Sequence, residues 1–149
     1  MGKYYANGNV AVLSTTYKTA LAIIGGTGVR PKLCEAEWGT DTAGDFAIEF
    51  LLQRLTANGT GTSVTPKPCD SAEPATEVTA GSNYTAEPTY TVGETPWDVS
   101  QHQKSVRIWQ ALDQEARIVV PATANNGLGI QFKSASSTPK AKARFLWDE

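Results

Sequence analysis

Histidine and cysteine are scarce in this chain, which has 1 histidine and 2 cysteines among 149 residues. His102, Cys34 and Cys69 match none of the ligand spacings of a zinc site. His102 is also the only possible base for a Ser-His-Asp triad, and no G-x-S-x-G motif accompanies it. We therefore expect His102 to lie in an exposed loop, and we expect a protein without a metal, a cofactor or an enzymatic activity.

Neither sign of charge dominates, because 13 Lys and Arg residues stand against 15 Asp and Glu residues and the formal net charge is -2. A nucleic-acid partner favours a basic surface, so none is expected. Long apolar runs are also missing, since none approaches the roughly 20 residues that cross a bilayer. Residues 1–9 lack the apolar centre of a signal peptide. The sequence therefore predicts no membrane partner and synthesis in a cytoplasm.

The chain does contain apolar residues that alternate with the period of a β-strand, notably in residues 17–24, 46–52, 128–132 and 143–147. With shorter candidates this makes about eight strands, separated by turn residues. The pattern predicts an all-β fold with one domain over residues 1–149. We expect a β-sandwich or jelly roll with a long extended loop or arm. An α+β alternative stays open, because Phe46–Leu55 also fits helical spacing.

Two carboxylates share one face of the half-buried strand predicted over residues 33–38. The side chains of Glu35 and Glu37 would lie about 6–7 Å apart. Carboxylates at such a distance can hydrolyse glycosides, although a solvated pair is common on such strands. The opposite face of this predicted strand is formed by Cys34, Ala36 and Trp38.

Two segments indicate extended structure that needs a surface to lie on. Residues 1–12 form a possible N-terminal arm. Residues 56–82 form a long excursion rich in Gly, Thr and Pro, in which Pro66, Pro68 and Pro74 exclude a helix or a central strand. A neighbouring subunit often supplies such a surface. We expect subunit or partner contacts at Tyr4, Tyr5, Gly59, Gly61, Val64, Pro66 and Pro68.

The cysteines Cys34 and Cys69 permit one disulfide. Free, partly buried thiols are the expectation in a reducing cytoplasm, whereas oxidation after release from the cell would allow the pair to form. Pairing needs Cα atoms about 4.4–6.8 Å apart, which spacing along the sequence does not reveal. Both alternatives stay open.

Two stretches, Phe50–Asp70 (FLLQRLTANGTGTSVTPKPCD) and Val119–Gln131 (VVPATANNGLGIQ), resemble the small head decoration (cement) proteins of tailed bacteriophages. The resemblance extends from about Tyr17 to the C-terminus. It implies a structural virion protein that forms a homotrimer, binds the major capsid protein and lies on the capsid exterior. Cys69 departs from the pattern, because an apolar residue is expected in this turn.

Two other functions remain as alternatives. A carbohydrate-binding β-sandwich module on a virion surface could use Trp97 or Trp109 as a stacking platform. A small hydrolase on the same scaffold would use Glu35 and Glu37.

Overall fold

A computed structural model describes residues 2–10, 15–41, 47–102, 104–134 and 139–149. Within these ranges the chain forms β-strands and no helix. The strands are β1 (Lys3–Val10), β2 (Lys18–Ile24), β3 (Lys32–Thr40), β4 (Ala47–Ala57), β5 (Thr60–Val64), β6 (Lys67–Pro68), β7 (Thr79–Ala86), β8 (Thr89–Tyr90), β9 (Trp97–His102), β10 (Arg107–Gln110), β11 (Ile118–Val119), β12 (Gly127–Ser134) and β13 (Ala141–Asp148).

The strands form two antiparallel sheets that pack against each other. Sheet A has the order β10-β3-β13-β1-β6, and β11 also pairs with β3. Sheet B has the order β5-β7-β2-β12-β4-β8, and β9 also pairs with β4. The prediction of an all-β sandwich is confirmed, while the jelly-roll connectivity stays a prediction. The helical alternative is wrong for Ala47–Leu55, which belongs to β4; Phe46 lies outside the described residues.

Large aromatic side chains fill the space between the sheets. The rings of Trp38 and Phe50 lie 5.7 Å apart, and those of Phe50 and Phe132 meet edge to face at 4.7 Å. Trp147 and Phe145 of β13 are fully buried beside them. Burying such a side chain contributes roughly 1.5–3 kcal/mol, so this cluster is the principal core. The apolar alternation of β2, β4, β12 and β13 identifies these strands correctly.

The predicted N-terminal arm is wrong for residues 3–10. Strand β1 lies between β13 and β6, and all eight of its residues pair with β13. Tyr4, Ala6 and Val10 point into the core and are at most 5% exposed. These residues form a strand because burying its apolar face stabilises the chain more than leaving the segment as a solvated arm would. Residues 1 and 11–12 lie outside the described residues.

The predicted excursion over residues 56–82 is largely folded into the sandwich. Strand β5 pairs with β7 at one edge of sheet B, and β6 pairs with β1 at one edge of sheet A. Residues 65–66 join them, so this side of the sandwich is closed by a chain segment that passes from one sheet to the other. Pro68 is accommodated because β6 is an edge strand.

A β-bulge changes the faces predicted for strand β3. The register with β13 shifts so that Glu35 pairs with Leu146 while Leu33 pairs with Trp147, which leaves Cys34 as the extra residue. Leu33 is therefore buried and Cys34 only half-buried. The prediction that Cys34 shares a face with Ala36 is wrong, because a bulge moves the alternation by one residue.

Sheet B carries a second, smaller apolar cluster on the face turned away from the principal core. Ala22, Ile24, Leu55 and Tyr84 are buried there, and Tyr90 packs against them. Strand alternation places Ile24 opposite the core-facing Ile23. Only two residues connect β4 to β5, although three strands separate them in the sheet. Sheet B therefore curls around this second cluster.

Candidate functional site

Gly59 and Gly61, two of the predicted contact residues, are required by close packing inside the chain. A Cβ atom on Gly59 would lie 2.0 Å from the carbonyl oxygen of Ala86. A Cβ atom on Gly61 would lie 2.8 Å from the carbonyl oxygen of Ser82 and 2.9 Å from the Tyr84 ring. Both glycines thus permit strands to approach each other, which explains them without a partner protein.

Val64, Pro66 and Pro68 are each half-buried where the chain passes between the sheets. Val64 packs against the principal core, and Pro68 pairs with Tyr4 at the edge of sheet A. Their apolar surface is therefore used partly within the chain. A contact of these residues with a capsid stays a prediction.

Tyr4 and Tyr5 are adjacent in sequence and point to opposite faces of sheet A. Tyr4 is 3% exposed, its ring stacks on Trp147 at 6.3 Å, and its hydroxyl donates a hydrogen bond of 3.0 Å to the carbonyl oxygen of Pro74. Tyr4 is therefore a core residue and is not available as a surface contact. Tyr5 lies half-buried on the outer face, beside Leu146 in the register.

Hydrogen bonds donated by backbone amides fix the segment that follows β5. The amide of Cys69 donates to the carbonyl oxygen of Lys3 at 2.7 Å, and the amide of Ala72 donates to Asp70 Oδ1 at 2.9 Å. Most side chains of residues 60–72 are nevertheless exposed, and Lys67 and Asp70 are the only charged ones. We call residues 60–72 the edge ridge. It is a surface of fixed shape with little charge.

The two cysteines are free, so the disulfide alternative is wrong for this structure. Cys69 is exposed on the edge ridge, whereas Cys34 lies half-buried in the β3 bulge. Burial, followed by the nearby Asp148 carboxylate, raises the pKa of the Cys34 thiol. Cys34 is therefore a weak nucleophile at neutral pH.

A stacking platform at Trp97 or Trp109 stays a prediction. Both side chains are half-buried and pack against the principal core, so each is partly used within the chain. His102 also differs from the prediction, because it ends strand β9 instead of lying in a loop. Its side chain is exposed, and Nδ1 accepts a hydrogen bond of 3.3 Å from the Lys104 amide.

Glu35 and Glu37 share the outer face of sheet A, as predicted, and Arg144 of β13 lies between them. Its guanidinium forms ion pairs with both carboxylates, at 3.3 Å from Glu37. Gln110 donates a hydrogen bond of 2.6 Å to Glu35, and this bond together with Arg144 lowers the pKa of Glu35. Glycoside hydrolysis needs one protonated carboxylic acid, which this environment disfavours at Glu35.

A groove of about 740 Å³ crosses the same face next to this ion-pair network. It extends from Asn7 and Asn9 on β1, across Lys142 on β13 and Gly39 on β3, to Val106. Sequence reasoning missed this site because its residues come from opposite ends of the chain. One sequence signal could have indicated this groove: in β1 and β13, exposed polar residues alternate with buried residues.

No group of three or more His, Cys, Asp or Glu side chains that could hold a metal ion occurs in the described ranges. Among the described residues, no helix is long and apolar enough to cross a membrane. No family model, curated protein or solved structure matches this chain.

Proposed function

We propose that this protein is a structural protein that decorates and stabilises the capsid of a tailed bacteriophage. It binds the major capsid protein on the exterior of the virion and acts as a homotrimer. The resemblance of Phe50–Asp70 and Val119–Gln131 to head decoration proteins supports this role. The structural observation that carries the proposal is the edge ridge.

The edge ridge has the physical properties of a docking surface. Its backbone is already held by the bonds from Cys69 to Lys3 and from Ala72 to Asp70, so binding costs little ordering entropy. Charged groups are depleted at the centre of protein interfaces, and the ridge has few of them. Strand β5 is also an edge strand of sheet B, which can pair with a strand of another chain.

Binding of this kind stabilises a shell by mass action. A subunit that recognises only the expanded capsid stabilises that state by an amount that rises with the logarithm of its free concentration relative to its Kd. A closed trimer presents three equal ridges to a local three-fold position, which strengthens attachment without a deep pocket.

The proposal is tested with the purified protein and expanded heads of the phage that encodes it. Light scattering coupled to gel filtration should give the mass of three chains of 15.9 kDa each. Cryo-electron microscopy should then show density for the trimer on the outer surface of the heads. A monomer that never associates with virions would contradict the proposal.

Substitutions on the ridge make the test specific. Thr60 and Thr62 are exposed on β5, so Thr60→Lys with Thr62→Lys adds charge without disturbing the core. We expect at least a tenfold loss of head binding, because the added ammonium groups would have to be desolvated. The control is Ser100→Lys, at an exposed serine of β9, which pairs with Glu49 towards the opposite end of β4. A ridge variant that binds heads as strongly as the unchanged protein would exclude the ridge as the contact surface.

A further inference from the structure

The groove on the outer face of sheet A has a defined floor and wall. The register aligns Asn9 with Lys142 and Lys142 with Gly39, and it aligns Asn7 with Arg144 in the next row. Gly39 has no side chain, so the floor is lowered at this point. Val106 forms the wall, because its Cγ2 would lie 3.3 Å from a Cβ atom on Gly39.

The direction of the groove limits what can bind in it. It crosses β1, β13 and β3 as far as Val106, which corresponds to roughly 14 Å at the usual strand spacing. The backbones of these strands are paired with each other through their ladders. A peptide added as a further strand would run parallel to the strands, so it would not use this groove. Recognition therefore depends on side chains.

The side chains along the groove suit a neutral ligand with many hydroxyl groups. Asn7, Asn9 and Lys142 are exposed, and together they present donors and acceptors along the groove. Two cations, Lys142 and Arg144, balance two anions, Glu37 and Asp41, so no strongly charged ligand is favoured. Val106 is 65% exposed and offers an apolar surface to the C–H groups of such a ligand.

We propose that this groove binds a short, uncharged oligosaccharide. Asn7 and Asn9 hydrogen-bond its hydroxyl groups from one side, Lys142 contacts it from the floor, and Val106 packs against one face of a sugar ring. This site differs from a platform at Trp97 or Trp109, which pack against the core. It is also independent of the edge ridge, so binding to sugars and binding to capsids can succeed or fail separately.

The first experiment applies the full chain to an array of neutral and acidic oligosaccharides, with an array of random peptides in parallel. We expect retention of neutral oligosaccharides that persists at about 0.5 M NaCl, where exposed charges are screened. The best-bound oligosaccharide is then used in calorimetry with the variants Asn7→Ala with Asn9→Ala, and Lys142→Ala. Each variant should bind it at least tenfold more weakly.

The controls separate binding from folding. Lys67→Ala removes an exposed lysine of the same sheet outside the groove, and it should bind like the unchanged protein. Trp109→Ala should lower stability, while its folded fraction should still bind. Equal affinities for the groove variants and the unchanged protein would overturn the proposal. Retention of peptides alone, of acidic sugars alone at low salt, or of nothing on either array would also overturn it.

Discussion

The outer faces of the two sheets are built in opposite ways. Sheet B curls around Tyr84 and Tyr90, whose rings cover small residues and shield that part of the face from water. Sheet A remains open, and its outer face carries exposed polar residues such as Asn7 and Lys142. The covered part of the outer face of sheet B therefore contributes to the stability of the fold. The outer face of sheet A stays accessible to a ligand.

The closed face depends on hydrogen bonds as well as on apolar contacts. The Tyr90 hydroxyl lies 2.7 Å from Thr19 Oγ1, and Thr19 is fully buried. The amide of Thr19 donates to Glu87 Oε2 at 2.9 Å, which satisfies a backbone group at the edge of β2. Burial raises the pKa of Tyr84 to about 12, so that phenol stays neutral even in alkaline solution. These contacts order the covering rings.

Removing a covering ring from sheet B should lower the free energy of unfolding more than any other change considered for the two faces. Tyr84→Ala deletes a side chain that is 6% exposed and leaves a cavity above Gly61 and Gly81. We expect a loss of about 3–4 kcal/mol in the free energy of unfolding. Tyr5→Ala on the open face should lose about 1 kcal/mol or less. Urea denaturation of both variants measures the difference; equal losses would mean that sheet B has no second core.

Adding one methyl group to each face should have a smaller effect. A Cβ atom on Gly129 would lie 2.3 Å from the Tyr90 hydroxyl, so Gly129→Ala must displace the bond between Tyr90 and Thr19. We expect a loss of about 1–3 kcal/mol. Gly39→Ala on the open face meets Val106 at 3.3 Å, and a small movement of this exposed side chain relieves the contact. Thermal unfolding should rank the two variants in this order, and the reverse ranking would contradict the contrast.

Alternation along the sequence was sufficient to predict the strands that carry most of the principal core. Ile48, Phe50 and Leu52 of β4 are buried as their spacing indicates, and Ala143, Phe145 and Trp147 of β13 follow the same rule. Each strand holds this information in its own residues, because a period of two specifies a buried face without knowledge of the partner strand.

Features that depend on a distant partner strand were not predictable in this way. Asn7, Gly8 and Asn9 resemble turn residues, and only pairing with β13 at the other end of the chain makes them part of a strand. The bulge at Cys34 is likewise set by the register with β13. Strand β5 has no apolar alternation, and its pairing with β7 uses the backbone. Predicting the groove would have required three registers at once, those of β1 with β13, β13 with β3 and β3 with β10.

Replacing one carboxylate on the open face should change the free energy of unfolding least. The pH dependence of this change identifies the interaction that causes it. The hydrogen bond from Gln110 and the ion pair with Arg144 lower the pKa of Glu35 below its ordinary value of 4.5. A lowered pKa in the folded state stabilises the protein above the unfolded-state pKa, and this contribution is lost as the pH falls through the folded-state pKa. Glu35→Gln should therefore cost below about 1 kcal/mol at pH 7, because the Arg144 side chain is 44% exposed and solvent screens the ion pair. The cost should shrink as the pH falls below 4.5.

Urea denaturation across this pH range measures the cost, and Glu115→Gln, at an exposed carboxylate between β10 and β11, is the control. A cost that is independent of pH would show that Glu35 acts through packing, and the open face would then resemble the closed one.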